Sequence, residues 1–364
     1  MSIIKKLNKY ISYEFFIDLI KVFFVFFILL LLVVAFDEIN SLKKIENDSL
    51  VLSLKLILFK VPGVLFNFIP FIFLFAGILF HLKLKNRNEI VVIRTIGFSN
   101  LKLISMSAIL TLFLGYIIIF ILNPLVSAIT KEYEIIKSET FQNKNLIFIN
   151  DNGLWILINN ENNNKKIIRI ENLDFNRNLV KNITIFNLSK DFNLQSRTFS
   201  KEGIFINKTL LLTNSISYGE RKSSNKNTEL QVDINFTLSE IQNTFKNSSS
   251  ISIYEITNQI KNIQNLGYST DYLRIEYQKI MSLPLYLLSM VILSGLIIVN
   301  LGANMGYLFY VLTGVIISVV LYFLSDLSIT MGKTEKINLE LSVWLPVFLI
   351  MIVNFIGLIQ VNAK

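Results

Sequence analysis

The chain alternates between long apolar runs and one long polar stretch. Six strongly apolar runs occur, in two groups of three. Each is about 20 residues long, the length at which an α-helix crosses the hydrocarbon core of a bilayer. The pattern therefore predicts six transmembrane helices, over 15–36, 60–80, 103–122, 280–300, 307–329 and 342–361.

A polar region separates the two groups of spans. It is rich in Asn, Ser, Lys and Glu, and its apolar residues form short runs in which apolar and polar positions alternate. Such runs between clusters of turn residues are typical of antiparallel strands in a sandwich or barrel. The predicted strands are LIFIN (146–150), GLWILIN (153–159), KIIRIEN (166–172), ITIFNL (183–188), GIFINKTLLLT (203–213) and LQVDINF (230–236). After them, Ile and Leu recur every three or four positions over 253–266, which predicts a short amphipathic helix leading back to the membrane.

Together these patterns predict an α-helical membrane protein with a 3 + 3 arrangement of spans and an inserted all-β domain. We expect spans one to three in 1–130, the inserted domain in 131–279 and spans four to six in 280–364. Basic residues of short loops stay on the cytoplasmic side of a membrane. The N-terminus and the loop 81–102 are the basic short segments. Both termini should therefore lie in the cytoplasm, and the inserted domain outside.

Composition excludes several classes of function. The chain has no Cys and a single His, His81, which excludes a disulfide framework, a thiol nucleophile and a Cys- or His-rich metal site. His81 stands near the end of a predicted span, where we expect a solvated side chain. The formal net charge of +9 is not accompanied by any nucleic-acid-binding motif. In a membrane protein the distribution of charge is more informative than its sum.

The sequence carries no motif of an enzyme, such as Walker A, GxSxG or HExxH. Ionisable residues are scarce in the spans, which argues against a proton- or ion-coupled carrier and indicates that energy comes from a partner. Asp18 and Lys21, near the start of the first span, should reach the interface. Asp326 in the fifth span is either a functional acid or an acid close to water at the outer end. The pair Lys43-Lys44 either binds lipid phosphate or is solvated.

The basic segment NRNEIVVIRTIGFSN (86–100) has an amphipathic pattern of its own. Its charged residues Glu89 and Arg94 fall away from the apolar positions when the segment is drawn as a helix. The apolar face consists of Ile90, Ile93, Ile96 and Gly97. Such a helix can dock into the groove of a partner protein. It can equally lie on the bilayer surface, helped by its basic flank.

Three segments of the chain resemble corresponding segments of one protein family. NEIVVIRTIGFSN (88–100) resembles the family's cytoplasmic coupling helix, with Glu89, Arg94, Gly97 and Ser99 at matching places. NGLWILINNENNNKKIIRIENL (152–173) resembles the start of its periplasmic domain. SISIYEITNQIKNIQNLGYSTDYLRIEYQKIMSLPL (250–285) resembles the return into the fourth span, with Tyr277, Lys279 and Pro284 in familiar positions. In this order the three segments resemble the LptF/LptG family of lipopolysaccharide export permeases, and the resemblance covers essentially the whole chain.

The resemblance implies a transport subunit without catalytic residues or a cofactor of its own. The chain looks more like LptG, so its partners would be an LptF-type permease, an LptB-type ATPase dimer that binds ATP, and an LptC-type periplasmic protein. The cargo would be lipopolysaccharide of the inner membrane, handed to a bridge that begins at a jellyroll-like periplasmic domain. The implied ATPase contacts are Glu89, Ile90, Ile93, Arg94, Gly97 and Phe98, and the implied lipid contacts are Lys43, Lys44 and Asp326.

Two other classes of protein fit the sequence less well. An FtsX- or MacB-like mechanotransmitting permease usually has four spans, with the extracellular domain after the first. A membrane-anchored envelope enzyme or sensor could carry a β-rich external domain. The enzyme would need a nucleophile or an acid-base set, and the sensor would need a cytoplasmic output domain. The sequence shows neither.

Overall fold

The computed structural model describes most of the chain as two compact units. The first unit comprises Met1–Tyr133, Ser249–Tyr254 and Arg274–Lys364, and the second comprises Glu134–Ser248 and Glu255–Leu273. The described residues are 2–43, 50–95, 97, 99–140, 145–150, 153–159, 165–174, 178–189, 193–206, 208–219, 224–234, 251–265, 270–300 and 306–363.

Helices make up most of the first unit and part of the second. They are α1 (Ser2–Lys43), α2 (Leu50–Asn86), α3 (Glu89–Thr95), α4 (Asn100–Ile117), a π-helix (Ile118–Leu122), α5 (Asn123–Thr140), α6 (Ile253–Asn265), α7 (Asp271–Asn300), α8 (Tyr307–Lys333) and α9 (Leu339–Ala363). Among the described residues, six helical stretches are long and apolar enough to cross a membrane, as predicted. They are longer than their apolar cores, because the polar residues at their ends continue the helix.

The second span is one continuous helix that begins about ten residues before the predicted start at residue 60. α2 runs from Leu50 through Pro62 and Pro70 to Asn86. Membrane helices tolerate internal prolines, because neighbouring helices and side chains satisfy the freed backbone groups. Residues 81–86, predicted as part of a loop, form the last turns of this helix.

Small residues let the spans pack closely. A Cβ atom added to Gly77 of α2 would collide with Ser294 Oγ of α7, and one added to Gly115 of α4 would lie 2.8 Å from Pro284 Cα. Membrane helices associate through such small-residue contacts, because lipid supplies no hydrophobic force between them. Around these contacts, α2, α7, α8 and α9 share an apolar cluster that includes Leu74, Ile78, Leu82, Met290, Ile298, Tyr310 and Ile350.

The spans differ strongly in how much of their surface the chain itself covers. In the most apolar stretches of α2 and α7, 61% and 67% of the residues are buried. In those of α1 and α8 the share is only 17%. α2 and α7 are therefore central helices, and α1 and α8 present mainly uncovered apolar side chains.

The π-helix in the third span leads into a contact with α6. Asn123 follows the π-helix directly, and its Oδ1 accepts a hydrogen bond of 2.9 Å from the backbone N–H of Ile253. The Tyr254 hydroxyl donates to the carbonyl of Phe120, within the π-helix, at 3.3 Å. The first N–H groups of a helix have no partner inside it, so Asn123 satisfies one of them for α6.

The second unit contains a seven-stranded antiparallel sheet in which each strand pairs with the next along the chain. The strands are β1 (Asn145–Asn150), β2 (Gly153–Asn159), β3 (Lys165–Asp174), β4 (Leu179–Leu188), β5 (Leu194–Ile206), β6 (Thr209–Gly219) and β7 (Ser224–Asp233). The predicted all-β insertion is confirmed. The jellyroll-like expectation is refined, because every pairing among the described strands is between sequence neighbours.

One face of this sheet is buried. Leu154, Ile156 and Ile158 of β2 and Ile168 and Ile170 of β3 are fully enclosed. Lys166 lies on the same side of β3 because side chains alternate along a strand. Burial lowers the pKa of its ammonium group, and the nearby charge of Asp233 in β7 opposes that shift. The pKa of Lys166 therefore reflects both its burial and a charge from another strand of the sheet.

The prediction of one strand over 203–213 is wrong in one respect, because two strands meet there. β5 ends at Ile206 and β6 begins at Thr209. The start of β5 was missed because its inward positions carry small polar residues, Thr198 and Ser200, in place of large apolar ones. Thr198 Oγ1 and Ser217 Oγ are hydrogen-bonded at 3.0 Å. Ser200 Oγ lies 2.7 Å from two backbone carbonyls, which share its one proton, and these contacts make polar burial possible.

Candidate functional site

The predicted coupling segment forms the short helix α3, and turn residues define both of its ends. Asn88 has a φ of 55°, and its carbonyl accepts hydrogen bonds from Val91 and Val92. Gly97 has a φ of 91°, a backbone conformation that glycine adopts without strain. Ser99 then caps α4, its hydroxyl accepting a hydrogen bond from the backbone of Lys102 at 3.3 Å. α3 is therefore a separate element between spans two and three.

The apolar residues of α3 face in two directions. Ile93 is only 5% exposed, so it packs into the chain itself, and Ile90 is half-buried. The outward side is formed by Val91 and Val92, which are 60% and 56% exposed. The predicted apolar face contained Ile90 and Ile93, so the prediction did not include the exposed valine pair. Ile96 and Phe98 lie outside the described residues.

Polar contacts hold both ends of α3 against neighbouring spans. The Tyr10 hydroxyl of α1 donates to Glu89 Oε2 at 2.9 Å, and Arg87 lies 3.6 Å from the other carboxylate oxygen. At the other end, Arg94 Nε donates to Asn100 Oδ1 of α4 at 2.9 Å. The matching residues Glu89 and Arg94 therefore already have partners within the chain.

The last turn of α2 carries two lysines with buried partners. Lys83 Nζ lies 3.0 and 3.2 Å from the carboxylate oxygens of Asp18 in α1, and it also contacts Glu14. Asp18 is fully buried, so the prediction that it reaches the interface is wrong. A buried carboxylate needs a partner, and Lys83 supplies one from the neighbouring helix. Lys21, which is largely exposed, adds a weaker contact of 3.5 Å.

Lys85 reaches the opposite side of α2. Its ammonium donates to the carbonyl of Ile298 at 3.0 Å and to the Tyr310 hydroxyl at 2.9 Å. The same nitrogen lies 5.2 Å from the centre of the Tyr310 ring. Ile298 belongs to the last turn of α7, where carbonyls lack helical partners, and Tyr310 to the first turn of α8. Lys85 therefore joins α2 to α7 and α8.

Another buried carboxylate lies towards the other end of α1. Glu38 accepts hydrogen bonds of 2.7 Å from Lys60 of α2 and of 2.7 Å from the Tyr133 hydroxyl of α5. We expected few ionisable groups in the spans, but the helices contain several, buried and paired near their ends. Sequence reasoning missed them because each pair joins residues from different helices.

The remaining candidate residues do not gather into a site. Lys43 is the last residue of α1, and Lys44 lies outside the described residues. Asp326 is exposed, about two turns before the end of α8 at Lys333. His81 is 1% exposed, so the expected solvated side chain is wrong. His81 Nδ1 is 2.8 Å from the carbonyl of Gly77, one turn earlier in α2.

The sequence that forms these helices, the inserted sheet and α3 matches a known family. The model of the lipopolysaccharide export system permease LptF/LptG family matches residues 9–360. The chain belongs to this family. The resemblance seen in three segments is thereby confirmed. The LptF/LptG family model does not distinguish LptF from LptG, so the LptG-like assignment stays a prediction. A search of curated individual proteins gave no match.

Membership of the LptF/LptG family establishes the general role of the chain. It is a multi-pass membrane permease for lipopolysaccharide export, with six apolar helices in its described part. LptF/LptG members are permease components and not enzymes themselves.

Proposed function

We propose that the chain is an LptG-like subunit of an ABC transporter that extracts lipopolysaccharide from the inner membrane and passes it to a periplasmic bridge. The observation that carries this proposal is α3. It is a separate short helix between two spans, fixed at both ends, and it presents an exposed apolar pair, Val91 and Val92. An apolar helix face of this kind fits a groove on a partner. The partner would be an LptB-type ATPase dimer, which binds the ATP.

The buried charges favour an external source of energy. Asp18 and Glu38 are each paired with a lysine of α2, so they hold helices together. A proton- or ion-coupled carrier needs intramembrane groups that can gain and lose their charge. Paired carboxylates of this kind are poor candidates for such a relay, which supports a mechanism driven by the ATPase.

The uncovered spans fit the remaining partners. α1 and α8 expose most of their apolar side chains, which an LptF-type permease, lipid acyl chains or an LptC-type protein would cover. In this arrangement both termini are cytoplasmic and the sheet domain is periplasmic. The basic residues at the N-terminus and around α3 support that orientation. Lys43, Lys44 and Asp326 stay candidate lipid contacts.

The proposal is tested at the valine pair. The double variant Val91→Glu, Val92→Glu places charge on the exposed face of α3 while leaving the buried Ile93 in place. We expect the ATPase that co-purifies in mild detergent to fall at least about tenfold, because charge in an apolar contact costs more than 1.4 kcal/mol. ATP turnover of the membrane complex should fall in parallel.

Val51→Glu is the matched control. Val51 is 77% exposed and lies at the opposite end of α2 from α3, so this variant should keep the ATPase bound. If the double variant keeps both the bound ATPase and its turnover, α3 is not the docking site. Purification of the unaltered chain without any ATPase would contradict its assignment to an ABC transporter.

A further inference from the structure

We infer that Lys83 and Lys85, the lysine clamp at the end of α2, are positioning residues that transmit movement of α3 to α1 and α8. The inference rests on the proposed function, because it requires that the ATPase acts on α3. The two lysines stand in the last turn of α2, shortly before α3, and hold helices on opposite sides of α2.

The connection between the lysine clamp and α3 is short and hydrogen-bonded throughout. Only Arg87 and Asn88 separate α2 from α3. The backbone N–H of Arg87 donates to the Lys83 carbonyl at 3.1 Å, and that of Asn88 donates to the Lys85 carbonyl at 3.0 Å. The Asn88 carbonyl then accepts from the first turn of α3. Displacement of α3 therefore displaces the end of α2, because the connection holds no slack.

The two side chains point to different helices. Residues two apart on an α-helix are separated by about 200° around its axis. Lys83 accordingly contacts α1 through Asp18, and Lys85 contacts α8 through Tyr310. A single movement of the α2 end thus acts on two spans at once.

The contacts of the lysine clamp are stronger and more directional than the apolar packing around them. Asp18 and Tyr310 are almost completely buried, so both contacts are sheltered from water. Hydrogen bonds to an ionised group are shorter and stronger than neutral ones. Apolar side chains in contact can slide past one another, whereas these bonds fix the register of α1 and α8 against α2. The Tyr10 bond to Glu89 adds a direct link between α1 and α3.

The helices that the lysine clamp holds are the two with the least cover from the rest of the chain. The Glu38–Lys60 pair holds the other end of α1 to α2, so the lysine clamp is the polar contact at the end of α1 that lies beside α3. The lysine clamp therefore gives α3 control over the two spans whose apolar faces are open to lipid or to another subunit.

The test measures the coupling of ATP hydrolysis to lipid release. The complete complex is reconstituted into vesicles that contain lipopolysaccharide, with Tyr310→Phe, Lys85→Met or Lys83→Met. Tyr310→Phe keeps the ring and removes only the hydroxyl that accepts from Lys85. We expect normal amounts of bound ATPase and normal ATP turnover. Lipid released per ATP should fall at least about fivefold, the lower end of typical coupling between sites.

Lys21→Met is the matched control. Lys21 contacts the same Asp18 carboxylate, at 3.5 Å, but from α1 itself, so it does not link two helices. Lys21→Met should leave the lipid released per ATP unchanged. The exchange Asp18→Lys with Lys83→Asp keeps one cation between two carboxylates and should restore coupling that Lys83→Asp alone loses.

Each result has a distinct meaning. If the ATPase binds and Tyr310→Phe and Lys85→Met both keep the full yield of lipid per ATP, the lysine clamp is not a transmitter. If the Lys83→Met variant fails to assemble, the lipid yield of the Tyr310→Phe variant becomes the deciding measurement, because Lys83 and Asp18 stay paired in that variant. Absence of the ATPase from the unaltered complex would contradict the proposed function and not the lysine clamp alone.

Discussion

At the scale of single residues, the buried carboxylates are the main polar features of the spans. Asp18 and Glu38 are both enclosed, and each is bonded to a lysine of α2. Removing an ion pair as a whole can be neutral, but removing one partner leaves an uncompensated charge. The pairs near the two ends of α1 therefore make its attachment to α2 sensitive to single substitutions.

Lys60→Met should destabilise the protein, because it removes the cation that lies 2.7 Å from the buried Glu38 carboxylate. We expect the free energy of unfolding to fall by about 3–5 kcal/mol. Thermal unfolding of the detergent-solubilised chain measures this change.

Lys55→Met is the control for Lys60→Met, because Lys55 lies in the same helix with an exposed side chain. The double variant Lys60→Met, Glu38→Gln should recover most of the lost stability, because no charge is then left buried. Equal unfolding temperatures for Lys60→Met and Lys55→Met would contradict this account of the pair.

Individual partners were the part of the structure that the sequence could not predict. Asp18 was expected at the interface because a helix considered alone offers no partner for it. Its lysine lies 65 positions away, in another helix. The prediction that His81 is solvated was wrong for the same reason, because its burial depends on how α2 packs against other spans. Glu89 could be singled out from the sequence as a residue of the coupling segment, but the hydrogen bond that it accepts from Tyr10 could not be predicted.

Among the elements, the helices could be predicted better than the strands. Long apolar runs predict spans directly, since burial and lipid exposure both require apolar side chains. Strand β5 was missed at its start because Thr198 and Ser200 are buried there through hydrogen bonds. α3 was located correctly, but the direction of its faces was not. Periodicity shows which residues share a side, and only packing shows which side is covered.

Close contact between α4 and α7 gives a second stability prediction. Gly115→Ala would ordinarily favour a helix, because alanine loses less backbone entropy than glycine. The new Cβ would lie 2.8 Å from Pro284 Cα, a backbone atom that cannot turn away. We therefore expect a loss of about 1–3 kcal/mol in the free energy of unfolding.

Gly306→Ala introduces the same methyl group into open space at the start of α8, with no heavy atom within 4 Å. Its effect should be a few tenths of a kcal/mol, the typical scale of an exposed change. A gain in unfolding temperature for Gly115→Ala would show that α4 and α7 can separate without cost.

For the molecule as a whole, the order of the spans and the sheet could be predicted, because the long apolar runs and the alternating strand patterns lie in different parts of the chain.

The orientation of the molecule in the membrane is a separate question, for which the complete absence of Cys is useful. Single cysteines at Lys9, Lys208 and Lys336 would replace exposed residues in α1, in the β5–β6 turn and between α8 and α9.

A membrane-impermeant maleimide should label Lys208→Cys and Lys336→Cys in cells whose outer membrane has been permeabilised. Lys9→Cys should react only after the inner membrane is broken, because basic N-terminal segments stay in the cytoplasm. Labelling of Lys9→Cys in cells with an intact inner membrane would reverse the proposed orientation.

The π-helix at Ile118–Leu122 has a consequence for the phase of the third span. Its wider turn holds one residue more than an α-helical turn, and one residue corresponds to about 100° of rotation. Every side chain beyond it is rotated by that angle relative to an unbroken helix. Asn123 faces Ile253 because of this offset. Deleting one residue from this stretch would leave its hydropathy almost unchanged and still turn Asn123 away, so the length of this span is as constrained as its composition.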